Sequence, residues 1–117
     1  MARVIQEDAS ALGFDWPDIT GVLDKVREET LEIEHALAKG DCEHARDELG
    51  DLLFSAVNLS RFLDADPCGA LHRTTQRFQR RFALVKREFA DKNLVMRDLP
   101  LEELDAAWER AKSHEKA

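Results

Sequence analysis

The sequence has no tyrosine, no stretch of sustained strand-like alternation and no internal repeat or low-complexity tract. A sheet-based fold therefore has little to start from. No apolar run approaches the length needed to cross a membrane, and the opening "MARVIQEDASALG" lacks the apolar centre of a signal peptide. Cysteine is scarce: Cys42 and Cys68 show no CxxC spacing and have no further thiols to complete a metal cluster. Two ordinary reduced thiols are expected, and with them a soluble cytoplasmic protein. Positive charge is in deficit as well. A formal net charge of −7 argues against a general affinity for nucleic acid or an anionic membrane, so an anionic ligand would need a local basic patch or a metal.

What the chain does contain is helical periodicity. The 117 residues, 44% hydrophobic and 35% charged, suit one domain with a modest core. A first main helix is predicted over about Asp18 to Lys39, with Ile19, Val22, Leu23, Val26, Ile33 and Leu37 on one stripe. Gly40 then supplies a stop and Asp41 an N-cap. A second helix carries Ala45, Leu49, Leu52, Leu53, Ala56 and Leu63 to about Asp64. Asp66 and Pro67 mark the start of a third, with Leu71, Phe78, Phe82, Val85 and Phe89 along it. A fourth follows Pro100, bearing Leu101, Leu104, Trp108 and Ala111. Residues 1–17 are expected as an arm or short helix ending in the loop "GFDWPD", and residues 18–117 as the domain proper. Short connections favour antiparallel neighbours. The expected fold is an all-α antiparallel bundle of about four main helices, completed by homo-oligomerisation because so short a chain cannot cover every apolar face.

The acids are not scattered. At 100° per residue, Glu29 and Glu32 flank the stripe centred on Val26 together with Lys25, whereas Glu28 points away. On the next helix Glu48 and Asp51 share a flank of the stripe centred on Leu49. Two acidic pairs at i, i+3 beside a buried seam are costly without a counterion. Unit charges 4 Å apart interact by about 4 kcal/mol at an effective dielectric of 20. A hard divalent cation relieves that cost, and magnesium commonly joins carboxylates to substrate phosphates. The third helix is basic, with Arg73, Arg77 and Arg81 at i, i+4, i+8 on one flank. Arginine forks suit phosphate oxygens. Taken singly, each feature also fits solvated faces and helix salt bridges; together they suggest a polyphosphate held by metal on one side and by arginine on the other.

These residues resemble the all-α nucleoside triphosphate pyrophosphohydrolases, and within them the MazG family. The E-x-x-E … E-x-x-D signature stands as Glu29-x-x-Glu32 and Glu48-x-x-Asp51, accompanied by "GFDWPD", "GDLLF", "FQRRFALVKRE" and "LDAAWERAK". The likeness covers most of the chain after residue 12 and is similar to the catalytic C-terminal domain of the longer, tandem members. It implies an obligate helical oligomer, usually a homodimer, that cleaves a nucleoside triphosphate between the α and β phosphates. By position, Glu29, Glu32, Glu48 and Asp51 would hold magnesium, with manganese as a substitute. Lys25, Arg77 and Arg81 match phosphate-contacting positions, and Trp108 and Lys112 match positions near the nucleotide. Asp47 stands where the family has glutamate, and Arg77 where lysine is common. The generic motifs favour broad house-cleaning of nucleotide pools.

Two rival readings remain. Glu32-x-x-His35 has the spacing of a di-iron carboxylate bundle, but its nearest mate is Asp41-x-x-His44 at a helix start. His35, His44, His72 and His114 are expected at the surface. A non-enzymatic helical dimer, binding partners through its charged faces, is the other alternative. Trp16 is expected to anchor the loop before the first main helix, and Phe78, Phe82 and Phe89 to lie in the core.

Overall fold

The structure, a computed structural model, describes residues 1–116; residue 117, where the expected domain ends, lies outside them. All regular structure among these residues is helical, as expected: α1 (Ala2–Ala11), α2 (Ile19–Ala38), α3 (Cys42–Phe62), α4 (Pro67–Asp91), a 3-10 turn (Met96–Asp98) and α5 (Leu101–Lys116). The boundaries follow local chemistry. Asp18 caps α2 by accepting from the Thr20 N–H at 2.9 Å, and Asp41 caps α3 by accepting from His44 N–H at 3.0 Å. Gly40, at φ 74°, takes the left-handed conformation that ends α2. Pro67 opens α4, where its missing N–H costs nothing.

The chain forms two compact units, one from Met1 to Pro67 and one from Cys68 onward. In the first, α2 and α3 fold back on each other across the turn at Lys39–Asp41, with Val22 and Ala36 buried, and α1 packs against α3. Trp16 lies against the start of α2. A Cβ at Gly21 would sit 2.6 Å from its ring, so only glycine admits this contact. In the second unit Val85 and Phe89 of α4 pack with Ala107 and Ala111 of α5, and Met96, Leu99 and Leu104 close the cluster.

The apolar stripes are only partly buried. Leu37, Leu49, Leu53, Leu63 and Leu71 remain exposed, and of the three phenylalanines expected in the core only Phe89 is buried. Phe82 is 37% exposed and Phe78 54%, although Phe78 stacks on Phe82 at 5.8 Å and on Trp108 at 5.1 Å. The physical reason is geometric. Each stripe is wider than the face that one neighbouring helix covers.

Candidate functional site

Lys25, Glu29 and Glu32 recur along one side of α2, and His44, Glu48 and Asp51 along one side of α3. Where the hairpin brings these sides together, carboxylate oxygens of Glu29, Glu48 and Asp51 come within 4.8 Å of one another. Glu32, His44 and Glu48 form a second group within the same limit, so Glu48 belongs to both. Glu29 is only 5% exposed, whereas Glu28 points to solvent, the division its helical phase predicts. Lys25 Nζ lies 3.4 Å from Glu29 Oε1 and 3.4 Å from Glu28 Oε1.

The electrostatics follow from this crowding. A carboxyl–carboxyl hydrogen bond with Glu29 pushes the Glu48 pKa up; burial and the charges of Glu29 and Asp51 add to it, and His44 opposes them. Burial draws the Lys25 pKa down, but hydrogen bonds and charge attraction from Glu29 and Glu28 outweigh it and leave the pKa raised. One lysine thus meets part of the negative charge. The donor set, carboxylates converging within ligand distance, is what a hard divalent cation requires. Among the described residues neither ligand group includes His35, so the di-iron pattern is not assembled.

Beyond Asp51 on the same face of α3 lie Phe54 and Asn58, at i+3 and i+7, about 4.5 and 10.5 Å along the helix. They wall a cavity of about 370 Å³ with Gln6, Phe14, Trp16 and Arg61. Its walls are tied together by polar contacts. The Arg61 guanidinium donates to both oxygens of Asp15 at 2.9 and 3.1 Å, to Asn58 Oδ1 at 2.7 Å and to Gln6 Oε1 at 3.3 Å. Buried Gln6 in turn donates to the Phe54 carbonyl at 2.9 Å. Hydrogen bonds from Arg61, then from Ser10, hold the Asp15 carboxyl far below the usual carboxylate range. Sequence reasoning placed Trp16 in the loop but missed Gln6, Asp15, Asn58 and Arg61, because nothing in their spacing signals a contact across 46 to 55 residues.

Arg77, Arg81, Trp108 and Lys112 belong to the second unit. Arg81 stands 6.0 Å from the Trp108 ring centroid and pairs with Glu115, which Arg80 also contacts at 3.2 Å. Arg77 donates to Thr74 Oγ1 at 3.4 Å, and Lys112 lies 3.8 Å from Glu109. Trp108 is half-buried.

Residues 19–83 match the MazG nucleotide pyrophosphohydrolase domain. The chain is 48% identical over 112 residues to a nucleoside triphosphate pyrophosphohydrolase/pyrophosphatase MazG of Thermotoga maritima, a match covering 96% of this chain and 43% of that protein. It is 36% identical over 116 residues to a nucleoside triphosphate pyrophosphohydrolase of Escherichia coli K12, covering 97% and 44%. An uncharacterized protein YabN of Bacillus subtilis is 36% identical over 69 residues, 59% of this chain and 14% of that one. The chain therefore spans less than half the length of these curated relatives. With the domain match running through both acidic pairs and most of the basic helix, the chain belongs to the MazG nucleotide pyrophosphohydrolase domain family.

Proposed function

We propose that this chain hydrolyses nucleoside triphosphates between the α and β phosphates, releasing a nucleoside monophosphate and pyrophosphate. The observation that carries the reading is the convergence of Glu29, Glu48 and Asp51, with Glu32 beside them, in a chain of this family. These carboxylates would hold a divalent cation, magnesium or in its place manganese. When bound, such an ion neutralises phosphate charge and lowers the pKa of a coordinated water. Residues 18–117 form the catalytic domain in this reading, and α1 with its loop lends walls to the cavity.

The chain's own residues divide the remaining work. Glu29 or Glu32 accepts the proton as water attacks phosphorus; the new P–O bond forms while the bridging bond between the α and β phosphates breaks. Lys25, Arg77 and Arg81 offer cationic donors to phosphate oxygens, and Trp108 and Lys112 serve near the nucleotide. The Trp16 cavity, largely apolar but with Asn58 at its wall, suits a nucleobase one to two helical turns from the acids. Such general groups support broad rather than base-selective turnover.

Exposed Leu49, Leu53, Leu63, Leu71 and Phe78 support association with a second copy of the chain. A cytoplasmic setting belongs to the same reading, supported by free, exposed Cys42 and Cys68. No helix among the described residues is long and apolar enough to cross a membrane.

The deciding experiment is product identification. A panel of ribo- and deoxyribonucleoside triphosphates is incubated with the purified chain, with and without Mg2+. Monophosphate and pyrophosphate in equal amounts, dependent on Mg2+ and abolished in Glu48→Gln, are expected. Orthophosphate plus diphosphate, or no turnover of any triphosphate, would sink the proposal and favour the binding module.

A further inference from the structure

The acidic centre contains an imidazole for which the proposed hydrolysis has no use. The Asp41 cap fixes His44 in the first turn of α3, and Glu48 follows one turn later on the same face. His44 Nε2 stands 3.6 Å from Glu48 Oε1. From α2 comes Glu32, half-buried and, among the described residues, without an ion pair or side-chain hydrogen bond. The ligand atoms of all three lie within 4.8 Å of one another.

The spacing is informative. A separation of 3.6 Å exceeds a good direct hydrogen bond. It falls between the roughly 3 Å and 4.2 Å expected for cis and trans donors that each lie about 2.1 Å from one ion. The chemistry differs from that of the neighbouring group, which offers oxygen alone. Magnesium takes oxygen ligands and keeps its waters, whereas imidazole nitrogen suits first-row transition metals. The two oxygens of Glu48 can serve both groups at once.

We infer that Glu32, His44 and Glu48 form a second cation position beside the Glu29–Glu48–Asp51 group, and that His44 turns it toward a transition-metal ion such as Mn2+ or Co2+ in preference to Mg2+. The inference rests on the reading of this cluster as a cation centre. It adds a nitrogen ligand, and so a metal preference, that four carboxylates would not confer. His44 is half-exposed along its side chain, which leaves the ion a path in from solvent.

Pulsed electron paramagnetic resonance of the full chain loaded with Mn2+ alone tests it, because directly bound imidazole gives a nitrogen-14 coupling. The coupling is expected in the unaltered protein and in His72→Gln, and is expected to vanish in His44→Gln and His44→Asn. Titration calorimetry of the same variants should show Mn2+ affinity at this position falling at least about tenfold, with Mg2+ affinity much less affected. Mn2+ bound without nitrogen coupling, or coupling that survives both His44 variants, would overturn the inference and leave the carboxylate centre intact. No Mn2+ binding at all would overturn both.

Discussion

Two charge clusters, one in each unit of this chain, are built in opposite ways. In the second, from Cys68 onward, opposite charges are matched: Arg110 forks onto Glu88 at 2.6 and 2.7 Å, Lys92 approaches the same carboxylate at 3.8 Å, and Arg80 and Arg81 share Glu115. Hydrogen bonds from Arg110 and Arg81 draw the Glu88 and Glu115 pKa values down. In the first unit Glu29, Glu48 and Asp51 face one another and the Glu48 pKa goes up. Acids that only support a fold settle beside a cation from the same chain. Acids left facing each other hold free energy in reserve for a ligand that is not part of the chain.

That contrast can be broken most sharply at Glu48. We expect Glu48→Gln to lower turnover by at least about a hundredfold while the metal-free protein melts at a higher temperature than the unaltered one. Its pH dependence carries the same signature. Glu48 binds its proton more tightly folded than unfolded, so its destabilising effect grows as pH rises from the ordinary 4.5 through the raised value. Metal-free melting curves from pH 4 to 8 should show that decline in the unaltered protein and its loss in Glu48→Gln. Equal slopes in the two proteins would show that the acids are not coupled.

Next in size is metal itself. A cation that binds only the folded state at a hundredfold excess over its Kd contributes about 2.7 kcal/mol, or roughly 10 °C for a chain of this size. Calorimetric scans with Mg2+ or Mn2+ should show that rise, and Glu48→Gln should lose most of it. The matched charges should respond less. Arg61→Ala removes a largely buried fork from Asp15, Asn58 and Gln6, and urea unfolding should register a loss of about 2 kcal/mol. The depressed Asp15 pKa makes that contribution complete above its ordinary 3.8 and lost as pH falls below it. Smallest of all, Arg110→Ala opens an exposed pair with Glu88. Its melting temperature should fall by a degree or two at low salt, and the difference should close at 1 M salt.

Much of the fold was legible along the chain because helix ends and faces are local properties. Asp18, Asp41, Gly40 and Pro67 act through backbone groups a few residues away, and α2, α3 and α4 begin where they indicate. The phase of Glu29 against Glu28 was equally readable, since 100° per residue separates a buried carboxylate from an exposed one within one turn. Burial of Phe78 and Phe82, unlike that of Phe89, was not legible there. Periodicity says which residues share a face, but not whether a neighbour is broad enough to cover it, and so Leu53 and Phe78 remain exposed.

The sequence by itself determined the helices, the face on which each acid stands and the kinship carried by its motifs, because each depends on a repeat of 3.6 residues or on a short string. Only the tertiary structure decided which faces meet. The register of α2 against α3 brought Glu32 to His44 and Glu48, and the return of the loop at 13–18 set Asp15 against Arg61. Such contacts join residues far apart in the chain. Their positions follow from how the helices pack, and packing is a property of the whole unit that no local pattern encodes.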